Sequence, residues 1–256
     1  GRLNNKIALV TGAANGIGRA AAQVFLEQGA TVVLVDKDEQ QLQQFVAECG
    51  SAAVSCICVD LKDDKVHKEY VSQIKAQHGG IDIAVFNAGM EGINIQLEDY
   101  PVELFDEVLS LNMRAVWLGL KAVIPVMKQA KKGSIILTSS VQGLSAIGGT
   151  TAYTTSKHAL VGMMKGASLE LAPHNIRVNA VHPGYVATPM MKRIHETVMP
   201  EHPEEFQKLL SATVPMKRYA LPSEVGQMMA FLASDDASYS TGSSFVVDGG
   251  MLATLP

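Results

Sequence analysis

Cysteine is scarce in this chain: Cys49, Cys56 and Cys58 are the only three in 256 residues. An odd number does not build a disulfide framework, and their spacing is not that of a zinc site, so no metal is expected. Cys56 and Cys58 alternate along an expected strand and should share one face, which makes them candidates for buried free thiols. Basic charge is also short. Lys and Arg number 21 against 25 Asp and Glu, the formal net charge is −4, and no basic run or basic–aromatic interleaving occurs. That pattern argues against a nucleic-acid partner. No uninterrupted apolar stretch approaches a membrane span, so no membrane is expected. The first apolar run reads as an opening strand rather than a leader peptide, and a cytoplasmic location is expected. Linkers and internal repeats are missing too. What the chain has in quantity is apolar side chain, 47% of the total, enough for the core of one large α/β domain or two small ones.

The apolar runs alternate with helical patterns from end to end. Strands are expected at Lys6–Val10, Thr31–Val35, Ala53–Val59, Ile83–Phe86, Ser134–Thr138, Arg177–Val181 and Phe245–Asp248. Helices are expected at Ile17–Gln28, Asp38–Cys49, Lys62–Gln77, Pro101–Gln129, around Tyr153–Leu171, and at Pro222–Leu232. Pro125 should kink or end the long fourth helix. Strands separated by helices imply a doubly wound, mostly parallel sheet of seven strands with helices on both faces, as one domain over residues 1–256. The least regular stretch, 184–222, is rich in Met, Pro and charge. A connection of that length in a compact domain is expected to be a lid or binding segment, here about 185–220.

The first strand leads into Thr11-Gly12-Ala13-Ala14-Asn15-Gly16-Ile17-Gly18, and the second ends at Asp36. Strand, glycine turn, helix, strand and acid make a dinucleotide-binding layout. Gly12 permits the tight turn, Gly16 lets backbone approach a pyrophosphate, and Gly18 lets helix pack on strand. The helix start offers free N–H groups and positive dipole to phosphate. A carboxylate at Asp36 can bond both ribose hydroxyls and would repel a 2′-phosphate. NAD is therefore expected over NADP, with Lys37 the one residue that could neutralise such a phosphate.

Downstream lies Tyr153-Thr154-Thr155-Ser156-Lys157, with Ser140 at 153 − 140 = 13 residues upstream. Positions i and i+4 share a helix face, so a phenol and an ammonium can point into one pocket. A free tyrosine, with a pKa of about 10, is a poor base at neutral pH. A nearby cation should lower that value, letting Tyr153 exchange a proton with an alcohol or ketone. Gly12, Asp36, Asp60, Asn87, Ser140 and His182 all fall at or just past strand ends, which gathers them on one edge of the sheet. His182, just before a proline, reads as structural.

With Thr11-Gly12-x-x-x-Gly16-x-Gly18, Asp60, Asn87-Ala88-Gly89, Asn112, Ser140, Tyr153-x-x-x-Lys157 and Pro183-Gly184 in this order, essentially the whole chain resembles the single-domain short-chain dehydrogenase/reductases, whose fold is Rossmann-like. The resemblance implies a catalytic set of Asn112, Ser140, Tyr153 and Lys157, with Tyr153 as acid/base. Ser140 would orient the substrate oxygen, Lys157 would hold the nicotinamide ribose, and Asn112 would hold a water that links Lys157 to solvent. It implies cofactor contacts from Gly12, Asn15, Gly16, Ile17, Gly18 and Asp36. Asp60 and Leu61 would lie at the adenine and Asn87, Ala88 and Gly89 under the adenosine. Pro183, Gly184, Val186 and Thr188 would meet the nicotinamide. Phe86 stands where many relatives carry a second Asn.

The pocket residues expected are Gln142, Tyr185, Met190 and Met191, with Met90, Val141, Ala146, Ile147 and Ile194 around them. They make an apolar site for a small or medium secondary alcohol or ketone. Gln142 and Glu91 would add polar selectivity, and Lys192 and Arg193 could reach the site. The expected function is an NAD-dependent alcohol dehydrogenase/ketoreductase. The alternatives are an enoyl reductase, whose Tyr-to-Lys spacing is wider in such relatives, and a non-catalytic nucleotide-binding protein. Small and apolar residues on more than one face of the Pro101–Gln129 and Tyr153 helices suit a symmetric dimer, the tail Met251–Leu255 suggests a further contact, and the family resemblance implies a homotetramer.

Overall fold

A computed structural model describes residues 1–253, so the tail residues Thr254 and Leu255 lie outside the described part. Seven strands form one sheet: β1 Ile7–Thr11, β2 Thr31–Asp36, β3 Val54–Cys58, β4 Ile83–Phe86, β5 Gly133–Thr138, β6 Ile176–Pro183 and β7 Ser244–Val247. Their order is β3-β2-β1-β4-β5-β6-β7, and every pairing is parallel. Strand order reverses between β1 and β4, which opens a crevice above their carboxyl ends.

Side chains alternate strictly across the sheet. Val10, Leu34, Val85 and Ile136 face one core, shared with α1 (Gly16–Glu27), α2 (Glu39–Cys49) and α9 (Pro222–Ala233). Leu9, Val35, Phe86 and Leu137 face the other, shared with α3 (Val66–His78), α5 (Ala115–Ala130) and α6 (Thr151–Leu171). Both faces being covered is why the strands read as continuous apolar runs. Each such side chain buried contributes about 1.5–3 kcal/mol of transfer free energy.

Several sequence expectations are revised. The long helix does not break at Pro125. α4 (Val102–Leu109) runs through a π-helical turn, Ser110–Arg114, into α5, which continues past the proline to Ala130. Pro125 and Lys121, whose carbonyl loses its partner, both lie on the solvent side, so water can take up the free carbonyl. The irregularity sits instead at 110–114, around the buried Asn112. With those segments joined, Val102–Ala130 is one helical run of 29 residues, long and apolar enough to cross a membrane by length and composition. Val116, Leu120, Val123 and Met127 use its apolar face to cover the sheet. The thiols are not buried: on β3, an edge strand, Cys58 is exposed and Cys56 half-buried, and Cys49 is half-buried at the end of α2.

The 184–222 stretch is more ordered than its composition suggests. It holds α7 (Pro189–Val198) and α8 (Pro203–Thr213). It leaves and returns through a β-bridge at Val186 and Ala220, with Ala220 N–H donating to the Tyr185 carbonyl and Ala187 N–H to the Ala220 carbonyl, both at 2.9 Å. Inside it, His195 Nε2 meets the Tyr219 hydroxyl at 2.9 Å, and Tyr219 packs on Tyr185 at 5.4 Å between ring centroids.

Candidate active site

The turn between β1 and α1 shows why glycines occupy it. Gly12 has φ +64, and a Cβ there would stand 2.7 Å from Ala88 Cα. A Cβ on Gly18 would run into the Gly12 carbonyl. The turn and the loop after β4 therefore touch backbone to backbone. Thr11 Oγ1 accepts from the Asn87 and Ala88 N–H groups at 3.0 and 3.3 Å, and Asn87 Nδ2 donates to the Gly12 carbonyl at 3.1 Å. Asn15 caps α1 with extended backbone but no side-chain bond, so no side-chain cap competes for the N–H groups at Gly16, Ile17 and Gly18.

Asp36 ends β2 and accepts from the Ala14 N–H at 3.1 Å, the Lys37 N–H at 2.7 Å and the Asp38 N–H at 3.2 Å. A carboxylate is thereby fixed at the crevice rim. Asp60 is similarly fixed by the Lys62 N–H at 3.0 Å. The adjacent Leu61 side chain is buried in the core, which leaves its backbone to border the site; its carbonyl meets His67 Nε2 at 2.9 Å. On the far side, Thr188 caps α7 by accepting from the Met191 N–H at 3.3 Å. Its methyl would stand 3.4 Å from a Cβ built at Gly16, so the start of the 184–222 stretch faces the glycine turn. Glycine backbone, open helix start, rim carboxylate and facing threonine fit a dinucleotide laid across the strand ends. Pro183 ends β6, Gly184 N–H donates to the Val247 carbonyl at 3.0 Å, and Val186 is buried at its bridge with Ala220.

The reactive side chains converge from just past the end of β5, from the π-helical turn before α5, and from α6. Lys157 is buried and donates from Nζ to the Thr138 carbonyl at 2.9 Å. Its Nζ lies 5.4 Å from the Tyr153 ring centroid. Tyr153 keeps some accessible surface, but its hydroxyl is packed among protein atoms and hydrogen-bonded with Ser140. Ser140 Oγ also accepts from the Gln142 N–H at 3.2 Å.

The electrostatics overturn one expectation. Burial pushes the Tyr153 phenol up to about 12; the Ser140 hydrogen bond pulls the other way, and the charge of Glu91 adds to the rise. Lys157, for its part, is pushed down to about 8 by burial. Lysine proximity alone therefore does not make this phenol anionic: desolvation of the phenolate is the largest influence on it.

Asn112 sits in the π-helical turn as a bridge. Its Oδ1 accepts from the Met90 N–H at 2.8 Å, and its Nδ2 donates to the Met90 carbonyl at 2.9 Å and to Ser156 Oγ at 3.1 Å. A Cβ at Gly89 would stand 3.2 Å from Asn112 Oδ1 and 3.5 Å from Lys157 Nζ, so amide, ammonium and the Gly89 backbone share one small volume. Of the expected pocket residues, Tyr185, Met190 and Met191 lie in the 184–222 stretch and are half-buried. Gln142 spends its Oε1 on the Thr150 and Thr154 hydroxyls, at 2.7 and 2.8 Å, and Glu91 is paired with Arg193.

The positioning roles of Ser139 and Thr138 escaped the sequence reading, and that of His182 was read only as structural. Ser139 Oγ donates to the Lys157 carbonyl at 3.0 Å, tying α6 to β5. Thr138 offers the carbonyl that holds Lys157. His182, fully buried, meets the Ser140 carbonyl at 2.8 Å and Ser244 Oγ at 3.0 Å, so its structural role consists of fixing Ser140. Thr11 carried a visible signal, a hydroxyl just before the glycine turn. His182 carried none, since its partners are 42 and 62 residues away.

Comparison with known proteins follows the same lines. A family model described as enoyl-(acyl carrier protein) reductase matches residues 12–252. Oxidoreductase UcpA of Salmonella typhimurium is 41% identical over 259 residues, covering 100% of this chain and 97% of that protein. Among solved structures, levodione reductase superposes with a TM-score of 0.96 at 33% identity, over 99% of this chain and 100% of its own. NAD+-bound xylitol dehydrogenase does so with a TM-score of 0.92 at 33% identity, over 98% and 100%.

Proposed function

Because this chain belongs to the short-chain dehydrogenase/reductase family of oxidoreductases, we propose that it interconverts a secondary alcohol and a ketone with NAD, using Tyr153 as acid and base. The observation that carries the reading is the convergence of Ser140, Tyr153 and Lys157 beside the dinucleotide cradle. Asp36 supports NAD over NADP, since its fixed carboxylate would meet a 2′-phosphate with like charge. When bound, the oxidised cofactor supplies the hydride-accepting carbon and a positive charge beside the phenol.

The protein's part is to bind, orient and move one proton. Ser140 Oγ donates to the substrate oxygen and fixes its approach. In reduction the phenol is the proton donor, and its pKa of about 12 keeps it protonated and ready. In oxidation Tyr153 takes the hydroxyl proton as phenolate, so that direction needs added positive charge in the site. Lys157, buried next to the ring and anchored on Thr138, provides part of that field and bonds the cofactor ribose. Asn112 holds Met90 and Ser156 in place between the reactive groups and the cleft wall. Residues 185–220 serve as the lid, and their methionines and Tyr185 make the pocket mostly apolar.

The family-model description raises an enoyl-thioester reduction as the second reading; the four-residue spacing from Tyr153 to Lys157 favours the first. The test is reduction of NAD, read by absorbance, against a panel of secondary alcohols. Tyr153→Phe should lose about 10²–10⁴-fold in kcat, the range of a positioned acid/base, while keeping cofactor affinity. A Tyr153→Phe enzyme as active as the wild type would refute the assignment.

A further inference from the structure

One ion pair ties the lid to the fixed wall of the cleft. Arg193, on α7, donates from Nε to Glu91 Oε1 at 2.9 Å and from Nη2 to Glu91 Oε2 at 3.3 Å. The partners are 102 residues apart in sequence. Glu91 follows Met90, whose backbone is gripped on both sides by Asn112, so the carboxylate stands on a rigid support. Its side chain is 22% exposed against 56% for Arg193. Glu91 is also close enough to the reaction centre for its charge to act on Tyr153. The neighbouring cation, Lys192, turns to Glu196 on its own helix at 3.8 Å.

We propose that the Glu91–Arg193 pair is a clasp that seats α7 over the substrate pocket and selects uncharged alcohols and ketones over carboxylate-bearing ones. This rests on the alcohol/ketone reading of the site. A free guanidinium at the cleft mouth would present a planar fork suited to a substrate carboxylate. With Glu91 already on the Nε–Nη2 edge of that fork, an anionic substrate is left only the Nη1 side and meets the negative end of the pair. Losing the pair removes a tether between the only two segments it joins, so α7 loosens as the guanidinium is set free.

The test uses the full-length enzyme, an uncharged ketone that the wild type turns over, and an analogue of equal length ending in a carboxylate. Glu91→Gln should raise kcat/KM for the carboxylate analogue about fivefold, as befits one partly solvated charge pair, and raise KM for the uncharged ketone while kcat moves less. Hydrogen exchange in residues 189–198 should quicken in both Glu91→Gln and Arg193→Gln. The reciprocal double variant, Glu91→Arg with Arg193→Glu, should restore slow exchange and the wild-type preference. Unchanged exchange in both single variants, or a substrate ratio that ignores Glu91→Gln, would overturn the clasp. Exchange needs no turnover. An enzyme inert to every alcohol and ketone would thus refute the reaction proposed above, while the clasp would still be decided by exchange.

Discussion

Lys157→Met should make the cofactor-free protein more stable at neutral pH while abolishing activity. The buried ammonium has one hydrogen-bond acceptor, the Thr138 carbonyl, and burial lowers its pKa from the usual 10.5 to about 8. That fall corresponds to about 3 kcal/mol against the charged form. Methionine keeps most of the stem in place and gives up one hydrogen bond, which returns about 1 kcal/mol. The net gain is about 2 kcal/mol at pH 7, or about 4–8 °C in Tm for a chain of this size. The sign follows from proton linkage. A depressed folded pKa means the unfolded chain binds more protons between about 8 and 10.5, so wild-type stability rises across that window as the penalty fades. It is lost again as pH falls through about 8. Tyr153 acts oppositely but later: its raised pKa leaves its contribution intact up to about 10 and removes it towards about 12. The advantage of Lys157→Met should therefore be largest at pH 7 and close by pH 10. Thermal unfolding followed by circular dichroism, at fixed protein concentration and without cofactor, measures it. A variant no more stable than wild type at pH 7, or a gap that is the same at pH 7 and pH 10, would refute the reasoning.

Other perturbations separate the remaining roles. Asp36→Asn removes the charge while leaving one oxygen for the Lys37 and Asp38 N–H groups and giving up the bond from Ala14; the ratio of kcat/KM for NAD to that for NADP should fall by about tenfold, the worth of about 1.4 kcal/mol. Asn112→Leu orphans the Met90 N–H and carbonyl and should cost about 2–4 kcal/mol in urea unfolding; a loss under 1 kcal/mol would show that water replaces the bridge. For assembly, a homotetramer is proposed. Gly162 and Gly166 leave open space above α6, and Trp117 on α5 and Leu169 on α6 are exposed apolar surface for a neighbour to cover. Light scattering that gives the mass of one chain would reject it.

Local chemistry explains what could be read from the chain alone. Strand and helix periods, the Gly12–Gly18 turn, Asp36 at the end of β2 and the one-turn spacing of Tyr153 and Lys157 are short-range patterns, each written within a few residues. They were enough for a doubly wound sheet and for the edge on which the site lies. Tertiary structure decided what depends on distant partners. Pro125 is tolerated because the Lys121 carbonyl that it leaves free lies on the solvent side, and the helix yields at Asn112 instead. Glu91 finds Arg193, and His182 finds Ser140, across loops that no periodicity connects. Above all, the protonation of Tyr153 is set by how much protein surrounds it. Desolvation is a property of the packed volume, and it dominates the phenol even though sequence spacing places an ammonium beside the ring.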